Sequence, residues 1–98
     1  MKEKLFKFEP EEYLDTPESI EIFLNDAFET GDPAYMAKAL GIVARSKGMT
    51  SVASDTGLAR EQLYSGLSEN GNPTLKTIIK IIQSWGLGLR VNVGSGRV

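Results

Sequence analysis

Apolar residues recur at helical spacing in separate blocks along the chain. Ile20, Phe23, Leu24, Ala27 and Phe28 fall at i, i+3, i+4, i+7 and i+8, which gathers them on one face of an amphipathic helix. Thr16-Pro17-Glu18 opens that block with an N-cap residue, a proline tolerated at the first helical position and a carboxylate near the positive end of the dipole. Gly31 closes it. Asp32-Pro33 repeats the opening, and Tyr35, Met36, Ala39, Leu40, Val43 and Ala44 mark a second helix that stops near Gly48, with Arg45 and Lys47 in its last turn. From Met49 to Ser68 the run MTSVASDTGLAREQLYSGLS reads as two short helices parted by Gly57.

A turn cluster follows at Glu69-Asn70-Gly71-Asn72-Pro73, with Asn72 or Thr74 placed to cap the next element. Leu75, Ile78, Ile79 and Ile82 give the stripe of a last helix, with Trp85 at its end and Gly86 as its stop. Ile81 lies off that stripe, so it needs cover from another element or another subunit. Leu87, Leu89, Val91 and Val93 then alternate with Gly88, Arg90, Asn92 and Gly94, the period of a half-buried strand. The order of elements predicts an all-α fold: a lambda-repressor or Cro-like five-helix helix-turn-helix domain over 16–98, a short C-terminal strand at 87–93, and an N-terminal extension over 1–15.

The helix-turn-helix expectation rests on Met49 to Ser68. Ala53 is small where two helices must approach, Gly57 permits a left-handed turn, and Val52, Leu58, Leu63 and Leu67 are apolar where the pair must pack inward. Arg60, Glu61, Tyr64 and Ser65 are left facing outward. Arginine bonds guanine bidentately, glutamate accepts from cytosine N4, and tyrosine or serine bonds a phosphate or a base edge.

Composition narrows the function. Among 98 residues there is no cysteine and no histidine, which removes thiol chemistry and disulfides, the commonest general base and the commonest metal ligand. No enzyme activity, cofactor or metal is expected. Glu9, Glu11 and Glu12 read as a solvated acidic turn, and Gly86-Leu87-Gly88 as a helix stop, since no helix start follows it as a phosphate cradle requires. No signal sequence opens the chain and no apolar run approaches the ~20 residues that span a bilayer. A soluble cytoplasmic protein is expected.

The formal net charge of −2 conceals a division at Pro33. Residues 1–33 hold three lysines against ten carboxylates, a net −7, whereas residues 34–98 hold eight cations against three carboxylates, a net +5. Such asymmetry fits a basic module for phosphates and an acidic segment that meets a basic protein. Six of the eight aromatic residues lie no later than Tyr35. Of these, Phe6, Phe8 and Tyr13 are the expected partner-contacting side chains, because aromatics are enriched in interface hot spots.

From Tyr13 to Val91 the chain resembles the HigA-like addiction-module antidote family, whose Xre/Cro-type domain follows an acidic N-terminal helix. The stretches that carry the resemblance are EYLDTPESIEIFLNDAFETGDPAYMAKALGIVARSKGM and TGLAREQLYSGLSENGNPTLKTIIKIIQSWGLGLRV, with ARSKGM, GLAREQLY and ENGNPTLKTI the most particular runs. The resemblance implies a bacterial or prophage antitoxin that pairs with a small basic RelE/HigB-like toxin and represses its own operon as a homodimer on operator DNA. It implies DNA-facing roles for Arg60, Glu61, Tyr64 and Ser65, with Thr50 and Ser51 near phosphate. Ala59 departs from the pattern, since relatives often carry a serine cap there, a loss of about 1 kcal/mol of helix-end stability.

One helix-turn-helix buries too little DNA surface for strong specificity, so two copies are expected on half-sites about 34 Å apart. Ile81, Leu87, Leu89 and Val91 are the expected dimer contacts, because an unpaired apolar strand edge invites a second copy. The alternatives are a free-standing prophage-type repressor with no toxin partner, and a protein-interaction adaptor without DNA binding.

Overall fold

The computed structural model describes residues 14–68 and 70–91. Among them all regular structure is helical: α1 (Pro17–Phe28), α2 (Pro33–Lys47), α3 (Met49–Thr56), α4 (Arg60–Gly66) and α5 (Leu75–Ser84). α1 packs against α2, α3 packs against α2, α4 and α5, and α4 also touches α2. α3 is therefore the hub of the bundle.

The helix starts follow from capping. Thr16 and Ser19 form a capping box, in which the Ser19 amide donates to Thr16 Oγ1 at 3.1 Å and the Thr16 amide donates to Ser19 Oγ at 3.3 Å. Asp32 Oδ1 accepts from the Ala34 amide at 3.1 Å at the start of α2. Of the two candidate caps for α5, Thr74 is the one used, its hydroxyl accepting from the Thr77 amide at 3.1 Å. Pro17 and Pro33 both sit in the first turn, where a missing N–H is harmless.

One core runs through the five helices, with Ile20, Leu40, Val43, Val52, Leu63, Leu67 and Ile81 as its largest fully buried side chains. Phe23, Phe28, Leu58 and Leu87 pack against its edge. Leu14, inside the segment 1–15, is buried as well, so the core begins before the first helix. Among the described residues no buried side-chain nitrogen or oxygen lacks a hydrogen-bond partner. Thr77, the buried polar residue, receives the Thr74 hydroxyl at 3.0 Å.

Four expectations are corrected. The buried face of α5 is Thr77, Ile81 and Ile82, with Ile78 packed beside them and Leu75 left 65 % exposed. Ile81, Ile78, Ile82, Leu75 and Ile79 follow one another around the helix as a single apolar arc, and packing against α3 buries the side of it nearest Thr77. Ile81 consequently lies at 0 % exposure inside the chain's own core and has no surface to give a second copy. Tyr35 is 51 % exposed, while Ala37 and Gly41, which no apolar stripe singled out, are buried. Finally, residues 87–91 form no strand, and among the described residues no other strand is present to pair with them; residues 92 and 93 lie outside the described set.

Gly41 is where α2 meets the end of α4. A Cβ at that position would overlap the Leu67 carbonyl oxygen and meet the Leu67 carbonyl carbon at 3.4 Å. Gly41→Ala is therefore expected to push α2 and α4 apart and destabilise the fold by roughly 1–3 kcal/mol. Urea unfolding would show a lower midpoint with an unchanged slope.

Candidate nucleic-acid interface

α4 is seven residues long, well below the ~12–15 at which an isolated helix holds its shape in water. Its first turn is handicapped further: the N-cap, Ala59, makes no side-chain hydrogen bond, and the Arg60 cation at the positive end of the dipole is offset only by the Glu61 carboxylate in the same turn. What holds α4 is burial. Leu63 and Leu67 are 0 % and 1 % exposed, together worth roughly 3–6 kcal/mol at the usual value for burying a leucine, which outweighs both handicaps.

The turn from α3 to α4 is braced at three points. Gly57 adopts φ 78° and ψ 10°, a left-handed conformation that a glycine takes without strain, and its N–H donates to the Ala53 carbonyl at 2.8 Å. The Thr56 hydroxyl donates to the Val52 carbonyl at 2.7 Å and accepts from the Leu58 amide at 3.2 Å, tying the last turn of α3 to the connection. Leu58 packs its half-buried side chain against the core. At the other end of α4, a Cβ at Gly71 would overlap the carbonyl oxygens of Ser65 and Gly66, so that loop also lies flush against the helix.

With Leu63 and Leu67 turned inward, Arg60, Glu61, Tyr64 and Ser65 are all exposed, as are Thr50 and Ser51 in the first turn of α3. Arg60 and Tyr64, one turn apart, lie together, with the guanidinium carbon 5.8 Å from the ring centroid. The α3–α4 pair carries one cation, Arg60, against Asp55 and Glu61. On the flanking elements, Lys47 at the end of α2 and Lys76 and Lys80 on α5 are exposed.

The other expected sites are placed as follows. Phe6, Phe8 and Tyr13 lie outside the described residues. Leu87 is half-buried against the core, whereas Leu89 and Val91 are 47 % and 99 % exposed. Among the described residues no group of histidine, cysteine or carboxylate side chains could hold a metal ion, and no helix is long and apolar enough to cross a membrane. Sequence reasoning missed Thr56 and Gly71. A threonine immediately before a turn glycine, and a glycine inside a turn cluster, were the available signals.

The uncapped start of α4 gives a direct test of this geometry. Ala59 already has the extended backbone of an N-cap, φ −73° and ψ 144°, so Ala59→Ser restores a hydroxyl acceptor without moving the chain. It is expected to stabilise the protein by about 0.5–1 kcal/mol, read as a rise of a few degrees in Tm for a domain of this size.

Comparison with known proteins agrees with an antidote role. A family model described as "Probable addiction module antidote protein" matches residues 4–93. An uncharacterized protein of Haemophilus influenzae is 36% identical over 91 residues, which cover 93% of this chain and 94% of that protein. No solved structure matches the chain. Because the family match runs from ahead of α1 to beyond α5, the chain belongs to the family of probable addiction module antidote proteins.

Proposed function

We propose that the chain is a HigA-like antitoxin that binds operator DNA as a homodimer through an Xre/Cro-type helix-turn-helix, represses its own operon and neutralises a RelE/HigB-like toxin. Membership of an antidote family implies a toxin partner. The observation that carries the DNA assignment is the construction of α4: a helix too short to stand alone, held by Leu63 and Leu67, with Arg60, Glu61, Tyr64 and Ser65 on its open side. A helix start with no side-chain cap breaks a local rule, and natural sequences break such rules at functional sites.

In this reading α4 enters the major groove, Arg60 bonds guanine O6 and N7, and Thr50 and Ser51 meet phosphate at the start of α3. Leu89 and Val91, exposed past the end of α5, supply apolar area for the second copy. The net −7 of residues 1–33 keeps that portion off the DNA and attracts a cationic toxin. α1 shares this character, with Glu18, Glu21 and Asp26 exposed on it and Glu29 exposed at its C-cap. Phe6, Phe8 and Tyr13 are the proposed anchors in the toxin.

Two outcomes test this reading. In gel shifts on the region upstream of its own gene, Arg60→Ala is expected to lose roughly 1–3 kcal/mol of specific binding and to relax preference at one base pair; unchanged affinity removes Arg60 from the reading surface. Because Leu14 is a core residue, a truncation for toxin binding must stop at Tyr13. Lacking residues 1–13, the protein is expected to keep its fold by circular dichroism and to lose co-purification with the product of the neighbouring gene.

A further inference from the structure

Arg60 and Tyr64 sit at i and i+4 on the open face of α4, with the guanidinium carbon 5.8 Å from the centre of the tyrosine ring and both side chains exposed. That distance is within the range at which a cation is attracted to a ring face. Glu61, the nearest carboxylate in sequence, lies one residue on, and adjacent helix positions do not face each other.

We infer that Tyr64 is a positioning residue for Arg60: its ring holds the guanidinium in a defined orientation, so that specificity at one base pair depends on a side chain that need not touch a base. The inference rests on the DNA-reading assignment of α4 above. A free arginine is long and must freeze several torsions before it docks, whereas a guanidinium seated against a ring has lost much of that freedom beforehand. An attraction to the ring through the cation's charge uses none of the guanidinium's N–H donors and leaves them available for two parallel bonds to guanine. The same attraction is modest in water and grows when the duplex displaces solvent from the pair. The hydroxyl of Tyr64 has no part in this arrangement, and that separates it from a tyrosine that itself bonds phosphate.

The experiment measures binding of the full chain to a duplex carrying the region upstream of its own gene and to a scrambled duplex of equal length, as a function of salt. Thermal melts confirm that each variant is folded. Tyr64→Ala is expected to weaken binding to the upstream duplex by roughly three- to thirty-fold, leaving the scrambled duplex and the salt slope unchanged because no phosphate contact is lost. Tyr64→Phe, which keeps the ring, is expected to bind within about two-fold of the parent. Arg60→Ala combined with Tyr64→Ala is expected to be no weaker than Arg60→Ala alone, since a positioning residue has nothing left to position.

Equal losses for Tyr64→Phe and Tyr64→Ala, or a reduced salt slope, would make the hydroxyl a direct contact and overturn the inference. Full specificity in Tyr64→Ala beside a loss in Arg60→Ala overturns it too, while leaving α4 as the reading element. A parent chain that binds both duplexes alike, or neither, removes the DNA assignment and the inference with it.

Discussion

The seating of α4 is the constraint from which the rest of the structure follows. A helix of seven residues with no side-chain cap exists because Leu63 and Leu67 are buried and because Gly41 lets the α2 backbone rest against the Leu67 carbonyl. Each of these contacts is made from one side of the helix. The opposite side is thereby fixed as the exposed one, and its orientation relative to α3 is set by the left-handed turn at Gly57 and the hydroxyl brace from Thr56. The backbone beneath that exposed surface is thus oriented by buried contacts on its other side.

Charge is distributed along the same division of labour. The N-terminal third is strongly acidic, and on α1 the carboxylates of Glu18, Glu21 and Asp26 face water while Ile20, Leu24 and Ala27 face the core. The exposed cations of the remainder, Lys47, Lys76 and Lys80 among them, belong to elements on either side of the α3–α4 pair rather than to the pair itself. An acidic patch repels DNA and attracts cationic protein, and a set of lysines does the reverse, so one small core can present two surfaces of opposite preference. The low overall net charge is a cancellation between these surfaces, not an absence of electrostatic character.

Much of the fold was legible in particular residues. Thr16-Pro17, Asp32-Pro33 and Thr74 each start a helix where a capping oxygen was expected, and Gly57 turns the chain where a left-handed residue was needed. The stripe Ile20, Phe23, Leu24, Ala27 and Phe28 faces inward as its period requires. The outward set on α4 was legible for the same reason, since it is the complement of two leucines four residues apart. Gly41 was not, because the Leu67 carbonyl becomes its neighbour only after folding.

Local sequence determined where helices begin, where the chain turns and which α4 side chains are available to a partner, because caps, proline geometry and a strong apolar period act over a few residues. Only the tertiary structure decided which side of the broad apolar arc of α5 is buried. Ile81 is core and Leu75 is exposed because α3 approaches from one particular direction. It likewise decided that residues 87–91 hold no strand, since alternation of apolar and polar residues prepares a segment for pairing, and pairing itself needs a second backbone alongside.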